Sequence, residues 1–280
     1  MFNAMTRAEI WLQDTLDKPL SIEDLANHIG YSSSQVRRQF RQSFHFSPSA
    51  YREKRRLERA AVLLALTPLN IAQIAVRCGY HNHSSFSRAF QRRYQFSPRH
   101  FRQRLKNAVA SSMPYKPYKT DIEKISDRQM ILMRLYQAPE RIKGLGDTSY
   151  HNEQLACLQA RLRRSTTIIE LPDILAIKVD ALNSEYFHYN RTDVGLYLEQ
   201  TDNAQDIALP VPYRRVDIPT HYCLSTRFDN LADLYDALTH TLVHLLYNQN
   251  DFHVSGHPPQ VLWQANHLEL RIPLVGQLAG

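Results

Sequence analysis

The sequence predicts an all-α amino-terminal domain with two helix-turn-helix units joined by a long helix, followed by an α+β carboxy-terminal domain of two strand-helix-strand-strand halves. Three observations lead there. Residues Ile22 to Arg52 return at Ile71 to Arg102 with the same landmarks, and a period this long marks a duplicated supersecondary unit. Positive charge is confined to the segment that repeats: residues 1–110 hold 18 Lys/Arg against 7 Asp/Glu, a net of +11, whereas residues 111–280 hold 16 against 20, a net of −4. Beyond about residue 120 helical periodicity gives way to short β-branched and aromatic runs interrupted by two helical stretches.

Each copy has the parts of two helices and a turn. Ser21-Ile22-Glu23-Asp24 and Asn70-Ile71-Ala72-Gln73 place a capping side chain first and an acceptor three residues on, which predicts a capping box and a helix start. Leu25, Ala26 and Ile29, and their counterparts Ile74, Ala75 and Cys78, are apolar at helical spacing. Gly30 and Gly79 end these helices, because the left-handed conformation that follows a helix costs glycine little. A second helix follows in each copy, with Val36 and Phe40, or Phe86 and Phe90, on its buried side. Arg37, Arg38 and Arg41, and Arg88, Arg92 and Arg93, crowd the remainder. Ser47-Pro48 and Ser97-Pro98 close each unit and open another helix, with proline in the tolerated first turn. Between the copies Tyr51 to Leu66 reads as one helix, apolar at Leu57, Ala60, Ala61 and Leu64. Its 16 residues span about 24 Å. The offset between copies is 49 residues up to Gly30/Gly79 and 50 from Arg38/Arg88 onward, so the second copy has one extra residue after its Gly-Tyr.

Two arginine-rich helices behind two glycine turns carry the electrostatic footprint of a nucleic-acid binder. The residues Ile71-Ala-Gln-Ile-Ala-Val-Arg-Cys-Gly-Tyr80, Ser84-Ser-Phe-Ser-Arg-Ala-Phe90, Phe96-Ser-Pro98 and Phe101-Arg102 resemble the DNA-binding domain of AraC/XylS-type transcriptional regulators, over roughly residues 5–106. His45 and Gln95 stand where that family often has glycine, which predicts backbone strain if φ is positive there. The resemblance implies base-edge contacts from Ser34, Arg37 and Arg38 in the first copy and from His83, Ser84, Ser85, Ser87 and Arg88 in the second. Arg38 and Arg88 lead, since a guanidinium matches guanine O6 and N7. Ser32, Arg41, His81, Asn82, Arg92 and Arg93 are expected on phosphates. The expected partners are double-stranded DNA and RNA polymerase, and two readers in one chain allow a monomer to bind two successive grooves.

Asn107 to Thr120, with Ser111-Ser112 and two prolines, reads as a linker between domains at 1–106 and 121–280. Strands are expected at Asp121–Ile125, Met130–Tyr136, Thr167–Val179, Tyr186–Leu198, Tyr213–Ile218, His221–Arg227, Pro259–Gln264 and His267–Pro273, and helices at Tyr150–Arg164 and Asn230–Asn248. This order, with Leu268-Glu-Leu-Arg-Ile-Pro-Leu274, resembles the gyrase-inhibitor-like effector-binding domain over about residues 120–276. That resemblance implies a pocket for a small lipophilic effector, with Tyr150, Tyr189, Tyr222, Trp263 and Glu269 as candidate lining. Val261 stands where those domains carry a buried glutamate, which argues against recognition of a cation by that position. Three unpaired cysteines suit a reducing cytoplasm, and neither a membrane-spanning run nor a signal peptide is legible. His240 and His244 have a metal-ligand spacing without the accompanying ligands, so no metal and no cofactor are expected. The expectation is a non-enzymatic regulator; a carboxy-terminal hydrolase and an architectural DNA binder without effector are the alternatives.

Overall fold

The computed structural model describes residues 2–110, 117–137, 153–162, 166–176, 190–198, 209, 213–247, 252–264 and 267–276. They group into two compact units divided after Asn107.

The first unit is helical: α1 (Phe2–Asp14), α2 (Ile22–Ile29), α3 (Ser33–Phe44), α4 (Pro48–Leu66), α5 (Ile71–Arg77), α6 (His83–Tyr94) and α7 (Pro98–Ala110). Both capping boxes form. The Asp24 amide donates to Ser21 Oγ at 3.1 Å while the Ser21 amide donates to Asp24 Oδ2 at 2.7 Å. Asn70 and Gln73 exchange the corresponding bonds, both at 2.9 Å. Gly30 and Gly79 take positive φ, 76° and 73°, after α2 and α5. His45 and Gln95 follow α3 and α6 at φ 62° and 61°, a left-handed conformation that costs an L-residue about 1–2 kcal/mol. Val36, Phe40, Phe86 and Phe90 are fully buried.

The central helix starts at Pro48, three residues before the expected Tyr51, because the Ser47 hydroxyl caps the Ala50 amide at 3.3 Å. Its 19 residues span about 28 Å, and it packs against α1, α3, α5 and α6. Not all its basic residues face water. Arg55 pairs with Glu58 at 2.9 Å, both almost fully buried, and Tyr51 donates its hydroxyl proton to buried Glu9. Arg52 donates to the Leu20 carbonyl, and Arg56 to those of Leu16 at 2.6 Å and Lys18 at 3.1 Å. Arg102 does the same in the second copy, reaching Leu64 O at 3.1 Å and Leu69 O at 2.5 Å. Leu20 and Leu69 each immediately precede a helix-capping residue, so the Tyr/Phe-Arg landmark ties the end of each copy to its beginning. The repeat therefore extends back to Pro19-Leu20 and Pro68-Leu69, at the same 49-residue offset.

In the second unit the chain runs β1 (Thr120–Ile125), β2 (Arg128–Gln137), α8 (Glu153–Leu162), β3 (Thr167–Glu170), β4 (Asn190–Leu198), β5 (Arg214–Ile218), β6 (His221–Phe228), a 3-10 turn (Leu231–Asp233), α9 (Leu234–Tyr247), β7 (Phe252–Val254), β8 (Gln260–Trp263) and β9 (Leu268–Gly276). Two strands precede each helix, as the individual strand expectations have it, whereas the strand-helix-strand-strand outline of each half counted one. The strands form one sheet in the order β1-β6-β9-β8-β3-β4-β2-β5, with β7 added to β9 and antiparallel pairing throughout. The expected strand Thr167–Val179 stops at Glu170. There the Leu171 amide turns to Pro259 O at 2.8 Å, Pro172 has no N–H for a ladder, and Asp173 folds onto Arg191. Helix α7 runs to Ala110, into the stretch expected as linker, and residues 111–116 lie outside the described residues.

Register separates the sheet's faces, because directly paired residues point the same way and neighbours along a strand point oppositely. Ile131, Val194, Ile169, Val261, Leu270 and Leu224 share one face. Helix α9 packs there on β6 and β9 with buried Leu234, Ala237, Leu238 and Leu242. Arg134, Asp193, Glu170, Gln260, Arg271 and Ser225 occupy the opposite face, beside a buried apolar cluster of Met130, Leu132 and Ile168.

Candidate nucleic-acid interface

The buried stripe of α3 orients the rest of that helix outward. Ser34, Arg37, Arg38 and Arg41 are exposed and, with Gln42 and Ser47, line an open groove of about 660 Å³. On α6, His83, Ser84 and Arg88 are exposed while Ser85 and Ser87 are partly buried beside Phe86. Their charges are held differently. Arg37 Nη2 lies 3.6 Å from Glu23 Oε1 of α2, and Arg92 Nη2 lies 3.0 Å from Glu53 Oε1 of α4. Arg93 stacks over Tyr94 at 5.4 Å. The side chains of Arg38, Arg41 and Arg88 have no hydrogen-bond or ion-pair partner among the described residues. An exposed, unpaired guanidinium keeps all five donors for an incoming anion or base. Two of the residues expected on phosphates, Ser32 and Asn82, also cap the helices they precede. Ser32 caps α3, accepting from the Gln35 amide at 3.3 Å, and Asn82 caps α6, accepting from the Ser85 amide at 2.7 Å. His81 is exposed between Tyr80 and Asn82, where the second copy has its additional residue.

Of the candidate effector residues, Trp263, Tyr222 and Glu269 lie among the described ones, and Glu269 is on the other face of the sheet from the two aromatic rings. Tyr150 and Tyr189 lie outside the described residues. Trp263 pairs with Leu268 and Tyr222 with Leu274, which places both on the helix-covered face, whereas Glu269 alternates to the other. Tyr222 packs against Phe252 with tilted rings whose centroids are 4.7 Å apart, and Val261 is buried among the apolar residues of that same face. Glu269 is buried and accepts from Arg271 Nε at 2.5 Å and from Ser225 Oγ at 3.2 Å. What the polar face does assemble is Glu170, Gln260 and Tyr197. Gln260 Nε2 donates to Glu170 Oε1 at 3.1 Å and the Tyr197 hydroxyl donates to Gln260 Oε1 at 2.8 Å. His240 is engaged by its own neighbours: its Nε2 accepts from the Tyr118 amide at 3.4 Å and its Nδ1 lies 3.4 Å from Thr120 Oγ1. Among the described residues no three metal-ligating side chains converge, and no helix is long and apolar enough to cross a membrane.

Comparison with known proteins bears on the helical unit. A family described as a helix-turn-helix domain matches residues 25–104. A crystal structure of an AraC-type transcriptional regulator from Chromobacterium violaceum is 32% identical, covers 36% of this chain and 91% of that one, and has a TM-score of 0.35. The regulatory protein SoxS of Escherichia coli (strain K12) is 38% identical over 95 residues, which are 34% of this chain and 89% of SoxS. The chain belongs to the AraC-type helix-turn-helix family of DNA-binding transcription regulators.

The right origin-binding protein of Escherichia coli (strain K12) is 36% identical over 93 residues, 33% of this chain and 32% of that protein. YkgA of the same organism is 35% identical over 134 residues, 44% of this chain and 56% of YkgA, so the alignment spans about half of that relative. Within this AraC-type chain the family match runs from α2 into α7 and leaves out both the sheet and α1. Helix α1 nevertheless completes the core of the family domain through Met5, Ala8 and Leu12. The three-and-four spacing of those residues with Leu16 would have revealed it.

The polar face of the sheet has its own pH signature. Burial, and then the charge of Asp193 directly across the strand pair, pushes the Glu170 carboxyl up to about 7, against the Gln260 hydrogen bond and the more distant Arg214 and Arg134. A raised carboxyl pKa favours the folded state fully below the ordinary value of 4.5, and the contribution is lost as pH rises to about 7. Glu170→Gln removes that loss, so its stability advantage over the natural chain should grow between pH 5 and 8 by about 1–2 kcal/mol. Denaturant unfolding of both chains across that range measures it, and a constant difference would refute the assignment.

Proposed function

We propose that α3 and α6 read two adjacent major grooves of double-stranded DNA from a single chain, each as the second helix of a helix-turn-helix unit. Residues 1–106 carry DNA binding, 107–120 connect, and 121–280 receive a small molecule or partner that modulates it. One observation carries the DNA reading: Arg38 and Arg88, at equivalent repeat positions, are exposed and unpaired among the described residues. Successive major grooves on one face of DNA recur at about 34 Å. A central helix of about 28 Å that packs on both readers suits that spacing, with some bending of the DNA toward the protein. Ser34 and Arg37 complete the first reading edge, and His83, Ser84, Ser85 and Ser87 the second. Arg41, Arg92, Arg93 and His81 set register on phosphates, with Ser32 and Asn82 contributing through the helix starts that they cap. Transcriptional control further requires contact with RNA polymerase, and the setting is the cytoplasm.

Arg38→Ala and Arg88→Ala are each expected to cost about 1–3 kcal/mol of specific binding and to relax preference at one base pair. Binding-site selection with each variant checks this, and an unaltered base preference would sink the assigned role. Modulation through the sheet is supported by the carboxylates and hydroxyl gathered on its polar face, Glu170, Glu269 and Tyr197. A panel of lipophilic compounds added to the full chain should contain members that raise its unfolding temperature and change its affinity for DNA. Stabilisation without any effect on DNA binding would count against modulation.

A further inference from the structure

The two copies differ where an acid meets an arginine of the second helix. In the first copy Glu23 Oε1 lies 3.6 Å from Arg37 Nη2 and 3.5 Å from Ser33 Oγ at the start of α3. The positions that match Glu23 and Arg37 in the second copy, 49 and 50 residues on, are Ala72 and Ser87. Both partners are thus exchanged together, while the next position stays arginine in each, Arg38 and Arg88. Another acid-arginine contact to such a helix, Glu53 with Arg92, lies in the last turn of α6, one turn beyond Arg88.

An arginine without a neighbour samples many rotamers and pairs with whichever phosphate is nearest, whereas a carboxylate on the adjoining helix restricts where the guanidinium points. Glu23 and Arg37 are 63% and 58% exposed, so in water their attraction is weak and screened by salt. A bound DNA duplex displaces that water and strengthens the contact. The same carboxylate repels phosphate and weakens attachment to DNA of any sequence.

We propose that Glu23 is a positioning residue of the first reader, orienting Arg37 toward a base edge instead of a phosphate, so that this half-site is read more stringently at that base pair than the second. The inference rests on α3 acting as a base reader. Its test uses the full chain carrying Glu23→Gln, Glu53→Gln or Arg37→Ala, each put through binding-site selection and titrated with random-sequence DNA. Glu23→Gln should bind random DNA roughly two- to five-fold more tightly. It should also flatten the preference at the base pair that Arg37→Ala flattens, and leave the other positions as they were. Glu53→Gln should tighten random binding likewise without altering any base preference, which separates orientation from simple loss of negative charge. Glu23→Ala, the second copy's own residue, should reproduce the glutamine result. If Arg37→Ala loses that preference and Glu23→Gln retains it, the positioning role is overturned and base reading stands. If Arg37→Ala leaves every preference intact, base reading by Arg37 falls and the role of Glu23 falls with it.

Discussion

Asp193→Ala is expected to destabilise the carboxy-terminal unit by about 3–5 kcal/mol. Asp193 is completely buried and receives Arg134 in a two-pronged contact, Nε to Oδ1 at 2.8 Å and Nη2 to Oδ2 at 2.6 Å. Arg214 adds a second, at 3.2 Å and 3.0 Å. Burial alone would raise this carboxyl, but Arg134 and then Arg214 outweigh it and hold Asp193 below the usual carboxylate range. The sign follows: a depressed pKa stabilises the fold at neutral pH, and that contribution is lost as pH falls below the ordinary value of 3.8 toward the folded one. Alanine takes from the Arg134 guanidinium, itself only 7% exposed, the carboxylate that receives two of its hydrogen bonds. The cost comes from buried positive charge left less well compensated more than from the lost attraction, so Asp193→Leu combined with Arg134→Met should lose considerably less than Asp193→Ala. Denaturant unfolding monitored on the sheet measures both; a loss under about 1 kcal/mol for the single variant would contradict the argument.

Gly79→Ala should destabilise the helical unit by about 3 kcal/mol, and Gly30→Ala by about 1 kcal/mol, although the two glycines occupy the same place in the repeat. Both have positive φ and share the cost of a left-handed L-residue. They differ in surroundings. A Cβ on Gly30 meets nothing within 4 Å, whereas one on Gly79 would lie 2.5 Å from the Leu16 carbonyl oxygen and 2.7 Å from Arg56 Nη2. Those two atoms belong to one hydrogen-bonded anchor, Arg56 Nε to Leu16 O at 2.6 Å, so neither yields without breaking it. Thermal unfolding of the two variants under one set of conditions decides the matter, and equal losses would refute it. Because Gly79 lies between α5 and α6, the alanine variant should, on the proposed two-groove reading, also bind DNA less well through α6 than through α3.

The repeat was legible because capping, turn and core requirements act over a few residues. Ser21 with Asp24, Asn70 with Gln73 and the two positive-φ glycines do in the structure what their spacing predicts. The basic residues of the central helix were not legible as a group. Arg55 is buried, Arg52 and Arg56 bind carbonyls, and none of this follows from composition, since the carbonyls of Leu16, Lys18 and Leu20 lie far away along the chain. The same holds for Ser32 and Asn82, where one side-chain chemistry serves a helix cap or a phosphate equally well. In the sheet, individual strands were visible in β-branched runs, but Trp263, Tyr222 and Glu269 separate onto two faces only once register is known. A shift of one residue in pairing would have reversed that arrangement.

By itself the sequence determined the duplicated helical unit, its caps and turns, the confinement of positive charge to that unit, and membership in a family that binds DNA, because these depend on neighbours within one or two helical turns and on net charge. Tertiary structure alone decided which arginines remain unpaired for a ligand, which carboxylates become buried partners, and which face of the sheet gathers the buried charges. Those outcomes depend on contacts between residues tens of positions apart, where packing and desolvation choose among side chains of identical chemistry.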